Sequence, residues 1–549
     1  MKTYRNDEQV DFVVVGSGAS GGVLAKELST NGFSVVVLEQ GPWRQSADFE
    51  HDEFGYWMKN ALAGEPGSDP VMWRRTDKQN AFAAGANGGG MLWAKGVGGS
   101  SVHFTANFWR FHAIDFNERS VLGEISGTGF ADWPITYKEL EPYYTKVDYQ
   151  IGVSGAPGPF DPPRSRPFPL PPLPVKSSGV LLERGAKKLG YHAQPAPMAI
   201  PSRPYNGRPA CQHCGYCIAY GCEFGAKSST LVTMIPVAVK TGRCEIRPHS
   251  TVARVETGAD GRATAVVYFD RDGKEQRQKA KAFVIAANGA ETPRLLLMSA
   301  SPQHPNGLAN SSGLVGKYLM FNTQSTGHAL FEHPLNEYKS VQVTRIVHDF
   351  YNTDPKRGFY GGGGIDARQM FGPIFFGAFG GPPEMPRWGS DFKKAMRELY
   401  PRYTMVAGHT TSLAMESNNI TLDPNMKDRY GRAALRVTYT DHPDDLKTGE
   451  FLRDRAVEMM DAAGAQKTWK DPVGVSSGTA HLLGTCRMGN DATQSVIDAD
   501  HRTHDVKNLF LCDGSSFVTS GRGQPTMTIM ALAFRAADRI SEAARKNAI

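Results

Sequence analysis

Two residues near the C-terminus have types suited to moving or holding a proton. They are His481, in Ala480-His481-Leu482-Leu483-Gly484-Thr485, and Gln524, in Gly523-Gln524-Pro525-Thr526-Met527-Thr528. A neutral imidazole titrates near neutrality and serves as a general base. An amide donates a hydrogen bond but takes no proton. On its own, His481 reads more readily as a core histidine bonded to backbone, and Gln524 equally well as a cap for the helix that follows. A second group is richer. Cys211, Cys214, Cys217 and Cys222 fall within twelve residues, spaced C-x2-C-x2-C-x4-C, while Cys244, Cys486 and Cys512 stand alone. Thiolates this close favour a soft metal centre, and iron–sulfur, tetrahedral zinc and a metal-free cysteine patch are all open. One gap is a residue longer than in the ferredoxin run C-x2-C-x2-C-x3-C. Clustering of this kind in a long chain argues against a disulfide scaffold.

The elements that must position these groups begin at the N-terminus. Asp11-Phe12-Val13-Val14-Val15 reads as a buried strand, followed without a gap by Gly16-Ser17-Gly18-Ala19-Ser20-Gly21-Gly22. Val23 to Leu28 reads as a helix, Asn31-Gly32 as a turn, and Ser34 to Leu38 as a second strand ending in Glu39. Together they make one βαβ unit, a dinucleotide-binding pattern far more specific than the glycines alone. Gly16, Gly18 and Gly21 let the backbone approach a pyrophosphate at a helix N-terminus, and Glu39, eighteen residues after Gly21, suits a ribose. The motif leaves NAD and FAD both open.

Downstream, residues 56–87 read as loop and lead into a second glycine loop, Gly96-Val97-Gly98-Gly99-Ser100-Ser101. Residues 155–174 are dense in proline and read as an extended crossing. Strands are expected at 245–247, 251–255, 265–269 and 283–286, a helix at 294–298, and loop or irregular sheet beside a cavity at 358–389. A strand at 509–511 reaches the turn Asp513-Gly514, and a helix runs from Thr526 to Ile540. The 61 basic and 55 acidic residues leave a net charge of +6, too weak a field over 549 residues to imply a nucleic-acid partner. No apolar run reaches membrane-spanning length. Met1 to Gln9 carries no apolar signal core, so the chain by itself reads as cytoplasmic; a folded protein exported with a signal-bearing partner would look the same.

In order and spacing, four segments resemble the glucose–methanol–choline family of flavin oxidoreductases. These are the N-terminal unit, the Gly98-Gly99-Ser100 loop, Asn288-Gly289-Ala290-Glu291-Thr292-Pro293, and the tail from His481 to Asp538. The layout is most similar to the large subunits of bacterial FAD-dependent sugar, glycoside and polyol dehydrogenases. Three positions depart from the family pattern: Asn288 stands where a glycine is usual, Phe321-Asn322 replaces Asp-His, and Gln524 stands in place of His or Asn.

The resemblance implies an α/β fold, with a Rossmann-like FAD-binding domain from residues 1–119, 231–310 and 476–549. An α+β substrate domain with an antiparallel sheet would take residues 120–230 and 311–475. It implies FAD held by Gly16, Gly18, Ser20, Gly21, Glu39, Gly98, Gly99, Ser100, Asn107, Val252, Asp513, Gly514 and Thr526. His103 is either a covalent attachment point for the flavin or a packing residue. His481 becomes the sole base and Gln524 a hydrogen-bond donor to the substrate oxygen. Cys211, Cys217 and Cys222 match three-iron ligand positions, with Cys214 a fourth ligand or a bystander. The implied activity is oxidation of a sugar, glycoside or polyol hydroxyl, with electrons leaving through an iron–sulfur cluster. Partners would be a small exported subunit and a cytochrome, placing the protein in the periplasm or at the membrane, with a cytoplasmic location as the alternative. An oxidase that uses dioxygen and a lyase with a structural flavin are the competing readings.

Overall fold

The computed structural model describes residues 2–58, 68–84, 91–369, 372–476 and 478–549. Its largest sheet has seven strands and grows from the N-terminal unit. Val10–Val15 is buried except at Asp11 and pairs in parallel with Val35–Leu38 on one side and Glu275–Ile285 on the other. Cys244–Arg247 extends the sheet beyond Val35–Leu38. Glu275–Ile285 serves two neighbourhoods. Its last residues are fully buried between Val10–Val15 and Leu509–Leu511, while its first, alternately exposed, pair antiparallel with Ala263–Phe269. Thr251–Thr257 completes that outer hairpin. Parallel strands buried on both faces need continuous apolar runs, which Phe12 to Val15 and Val35 to Leu38 supply. Helices Ala19–Thr30 and Thr526–Arg545 pack on this sheet, the second with an uninterrupted buried stretch from Met530 to Ala537.

A second sheet is wholly antiparallel. Its order is Lys467–Lys470, Gln324–Leu330, Tyr403–Thr410, Gly363–Arg368, Arg345–Val347, Ala193–Pro195. Ile365, Ala367 and Val406 pack one face against Leu181, Leu182, Leu452 and Met460 of helices Ser177–Lys188 and Pro443–Ala463. Asp366 and Arg368, which alternate with Ile365 and Ala367, point the other way, as does His409 on the paired strand. A third, four-stranded sheet joins Asn419–Lys427 and Ala433–Thr438 to Val71–Arg74 and Phe82–Ala83. It links two stretches that the sequence reading assigns to different domains.

The architecture is the expected one, a Rossmann-like domain beside an α+β domain built on an antiparallel sheet. Several local expectations change. Residues 56–87 are not all loop, since they hold the short strands at 71–74 and 82–83; the remainder of that stretch at 59–67 and 85–87 lies outside the described residues. Residues 358–389 include Gly363–Arg368, a regular and fully buried strand near the middle of the second sheet. Their glycine content suggested irregular backbone. The strand tolerates glycine because Trp109 and His348 fill the space beside Gly364. The helix expected at 294–298 starts earlier, at Asn288. Residues 155–174 do cross the surface without helix or strand of their own.

Candidate active site

The two glycine loops meet. Gly18 and Gly99 stand so close that a Cβ on Gly99, whose φ is +59°, would lie 2.6 Å from the Gly18 Cα. A Cβ on Gly21 would lie 2.0 Å from the Gly16 carbonyl oxygen. The Gly98 amide donates to Ser17 Oγ at 3.1 Å, and Thr230 Oγ1 sits 3.2–3.3 Å from the carbonyls of Ser17, Gly18 and Gly98, tying the loops together. This is the close backbone approach that a pyrophosphate needs at the start of helix Ala19–Thr30. Glu39 is buried with both carboxylate oxygens engaged. Ser17 donates through its amide (3.1 Å) and hydroxyl (2.7 Å), and the Gly41 amide donates at 2.9 Å. The Gly96 backbone is a fourth partner, so the carboxylate is fixed between the two glycine loops. Burial pushes its carboxyl pKa upward.

The remaining expected cofactor residues fall into three groups. Ser20 Oγ donates to the Cys512 carbonyl, so helix Ala19–Thr30 is bonded to the end of strand Leu509–Leu511. Asp513 then accepts from the Asn288 amide (3.0 Å), Thr292 Oγ1 (2.6 Å) and the Ser515 amide (2.7 Å), which fixes the turn through Gly514. Thr526 opens the last helix. Ser100 Oγ accepts from the Ala94 amide at 3.0 Å. Val252 lies in the outer hairpin opposite Tyr268, its carbonyl accepting from Arg432 at 2.8 Å. Asn107 lies apart from the glycine loops: its Nδ2 donates to Asp366 in the second sheet at 3.2 Å.

His481 and Gln524 come together from separate segments. His481 retains a sliver of exposure, but its Nδ1 is shut from solvent and has no partner. The ring is hydrogen-bonded to the Gln524 side chain and the Asn322 backbone. Burial, then the neighbouring His409, holds its pKa down to about 4, so it is neutral at physiological pH. Gln524 does not cap the last helix, which has no side-chain cap. Its Nε2 instead reaches His409 Nδ1 at 3.1 Å, and His409 Nε2 lies 2.7 Å from Asp366. Asp366 is paired with Arg368, two residues along the same strand. Burial works against its ionisation, yet Arg368 and His409 hold its carboxyl down to about 2.

Two further residues fix the segment carrying Gln524. Arg522, fully buried, bonds Asp115 at 2.5 Å and also reaches Glu118 and Thr353. Asn322 Nδ2 donates to the carbonyls of Thr410, Ser520 and Gly521 at 3.0–3.1 Å, bridging the antiparallel sheet to the tail. The departure noted at Phe321-Asn322 is thus a structural clamp.

The cysteine loop lies against the second glycine loop. All four thiols are free. Each of Cys211, Cys214 and Cys222 is close enough to Cys217 to raise its pKa, after burial, to about 12. Two backbone amides point at sulfur, His213 at Cys211 and Lys227 at Cys222, both at 3.4 Å. No group of three or more His, Cys, Asp or Glu stands at metal-holding spacing among the described residues. Lys227 Nζ donates to the carbonyls of Phe104, Cys217 and Tyr220, pinning the loop to the segment after His103. His103 itself exchanges a backbone bond with Ala219 (2.7 Å) and donates Nδ1–H to the same residue's carbonyl (3.1 Å). Burial and the cations Lys227 and Arg44 push the His103 pKa down to about 3.

The residues present fit FAD. The cradle between the loops has no room for a Cβ at Gly21 or Gly99, and buried polar atoms without partners lie on residues around His409 and Gln524: His481 Nδ1, Asn107 Oδ1, Asn322 Oδ1 and Trp109 Nε1. Sequence reasoning missed Asp366, Arg368, His409, Arg522, Thr230 and Lys227. For Asp366 and Arg368 a signal existed, in the alternation with Ile365 and Ala367, but reading that stretch as loop hid it.

Comparison with known proteins agrees with this geometry. GMC oxidoreductase models match residues 10–335 and 414–533. The chain is 35% identical to 2-methyl-1,2-propanediol dehydrogenase of Mycolicibacterium austroafricanum, over 97% of this chain and 95% of that one. It is 31% identical to the fructose dehydrogenase large subunit of Gluconobacter japonicus, over 96% and 97%. Among solved structures, formate oxidase of Aspergillus oryzae superposes with a TM-score of 0.64 at 15% identity, covering 100% of both chains, which speaks to the fold alone.

Proposed function

Because the chain belongs to the GMC oxidoreductase family, flavin-dependent enzymes acting on CH–OH groups, we propose that it is an FAD-dependent dehydrogenase of sugars, glycosides or polyols. The observation that carries this reading is His481: a neutral imidazole held beside Gln524 within the matched C-terminal segment. FAD, when bound, supplies the acceptor for a hydride from the carbon bearing the hydroxyl. His481 takes the hydroxyl proton as the C–H bond breaks, and the carbonyl forms. Gln524 contributes hydrogen bonding and no proton transfer, so a single base serves the reaction. Gly16 to Gly21, Glu39, Gly98 to Ser101, Asp513, Gly514 and Thr526 would hold the cofactor. His103 Nδ1 is engaged with Ala219, which leaves Nε2 as the ring nitrogen for any covalent link to the flavin.

The names of the diol and fructose relatives support a polyhydroxylated substrate. The cysteine loop is read as the electron exit, where Cys211, Cys217 and Cys222, with or without Cys214, would have to draw together from their present spacing to hold an iron–sulfur cluster. Thiols of the right type on one loop, with two amides aimed at sulfur, support this. The fructose relative is named as a large subunit, which supports a partner subunit; we read the partners as a small exported subunit and a cytochrome, with a periplasmic or membrane-associated location. No helix among the described residues is long and apolar enough to cross a membrane.

One preparation tests both parts. Anaerobically purified protein is expected to contain iron and acid-labile sulfide, to oxidise polyols with an artificial electron acceptor, and to release little hydrogen peroxide in air. Peroxide in step with substrate consumption would favour an oxidase, and absence of iron would remove the relay. The acid limb of flavin reduction should fall near pH 4, because protonating His481 removes the base and its pKa lies at about 4 where an ordinary histidine has 6.5. Stopped-flow rates between pH 3.5 and about 8 would read it. A limb near 6.5 would mean that the ring is solvated during turnover.

A further inference from the structure

The amide of Gln524 can lie either way round, and only one orientation serves His481. We infer that His409, oriented by Asp366, is a positioning residue that turns the Gln524 carbonyl toward His481. The argument starts at the buried carboxylate. Asp366 accepts from Arg368 and, at 3.2 Å, from Asn107, so it is ionised and can only accept. His409 Nε2 lies 2.7 Å from it and 2.8 Å from Arg368 Nη2. Nε2 thus meets an acceptor and a donor-only nitrogen at nearly equal distance; Arg368 Nη2 makes its shorter contact with Asp366, and a lone pair 2.7 Å from that carboxylate would be repelled, so we place the ring proton on Nε2, pointing at Asp366. His409 Nδ1 therefore carries the lone pair. At 3.1 Å it accepts from the Gln524 NH2 group, and the Gln524 Oε1 is left to face His481.

That orientation matters because the His481 ring lies beside the Gln524 side chain and the Asn322 backbone, and carbonyl oxygens turned to it there draw its ring proton to their side. The unpartnered Nδ1 keeps its lone pair. A flipped amide would set NH2 against N–H and work to move the proton to the other ring nitrogen, changing which one is free to act as base. Around His409 the facing groups are Asp366 and Arg368 from its neighbouring strand, His348 beyond them, His481 and Gln524, with Trp109 edge-on at 5.1 Å. The Asp366-His409-Gln524 chain comes from three separate segments of sequence. Gly364, in register opposite His409, leaves the room that Trp109 and His348 occupy.

This inference rests on His481 being the base, and its test separates the two. In Asp366→Asn, the new side chain donates as well as accepts, so His409 is expected to carry its proton on Nδ1 and to turn the Gln524 amide over. Anaerobic flavin reduction by a polyol should slow on the order of 10- to 100-fold in the limiting rate, with substrate affinity and the FAD-to-protein ratio little changed. Adding Gln524→Glu should restore at least about fivefold, because a carboxylate accepts from His409 and His481 alike. A merely structural Asp366 would not be rescued in this way. An Asp366→Asn rate within about twofold of wild type, or a double variant no faster than the single, would overturn the inference. Should Asp366→Asn not fold, 15N-histidine NMR of the wild-type holoenzyme decides: His409 is expected as the Nε2–H tautomer, and Nδ1–H would overturn it. Wild-type reduction rates in His481→Ala would instead sink the base reading itself.

Discussion

Replacing His481 with alanine is expected to slow anaerobic flavin reduction by about 1,000-fold or more, while FAD stays bound and its spectrum is unchanged. General-base catalysis contributes roughly 10²- to 10⁴-fold, and this site has no second base to share the work. Gln524 has no basic nitrogen, and His409 is engaged with Asp366 and Gln524 on its two ring nitrogens. The flavin should remain because no contact that ties the glycine loops together involves His481; those run through Ser17, Thr230 and Gly98. Stopped-flow absorbance with a polyol substrate reads the rate, and the visible spectrum before mixing reads occupancy. A His481→Ala rate within about tenfold of wild type would place the base elsewhere.

The second large effect lies at the cofactor loop. Gly21→Ala is expected to lower the FAD-to-protein ratio by about tenfold or more, leaving a folded protein that has lost its colour. The added Cβ would sit 2.0 Å from the Gly16 carbonyl oxygen, backbone that cannot swing aside as a flexible side chain would. Gly16 has nowhere to retreat, since it is packed against Ala286 at the end of the central strand. Relief must come from opening the turn, which pulls the backbone amides off the pyrophosphate path. The sheet beneath is built from Val10–Val15, Val35–Leu38 and Glu275–Ile285 and does not depend on that turn for its burial, so circular dichroism should stay near wild type. Comparing flavin absorbance with protein concentration gives the result. A ratio near one in the variant would mean that the loop accommodates a side chain.

The parts of this molecule that were legible in sequence are those whose chemistry is local. The βαβ unit announces itself because strand, glycine turn, helix and terminal acid follow one another within thirty residues of Val10. Its function follows from backbone geometry that only glycine permits. His481 and Gln524 were found because each lies in a motif, and the structure brings them together. The relay behind them was not legible. Asp366 and His409 are forty-three residues apart and become neighbours only through the pairing of Gly363–Arg368 with Tyr403–Thr410. Arg522 lies two residues before Gln524, yet its partners Asp115 and Glu118 are some four hundred residues away. Long-range pairing of this kind leaves no periodic trace. Glycine added to the difficulty: a run that suggested irregular backbone belongs to a buried strand, where the missing side chains make room for Trp109 and His348.

The central claim, that a hydroxyl-bearing substrate reduces the bound flavin in this site, is tested most directly by anaerobic titration of the wild-type holoenzyme with sugars, polyols and simple diols. At least one compound is expected to bleach the flavin, with one carbonyl product formed for each flavin reduced. A flavin that stays oxidised with every CH–OH compound, while dithionite still bleaches it, would contradict the account and leave the cofactor a structural role.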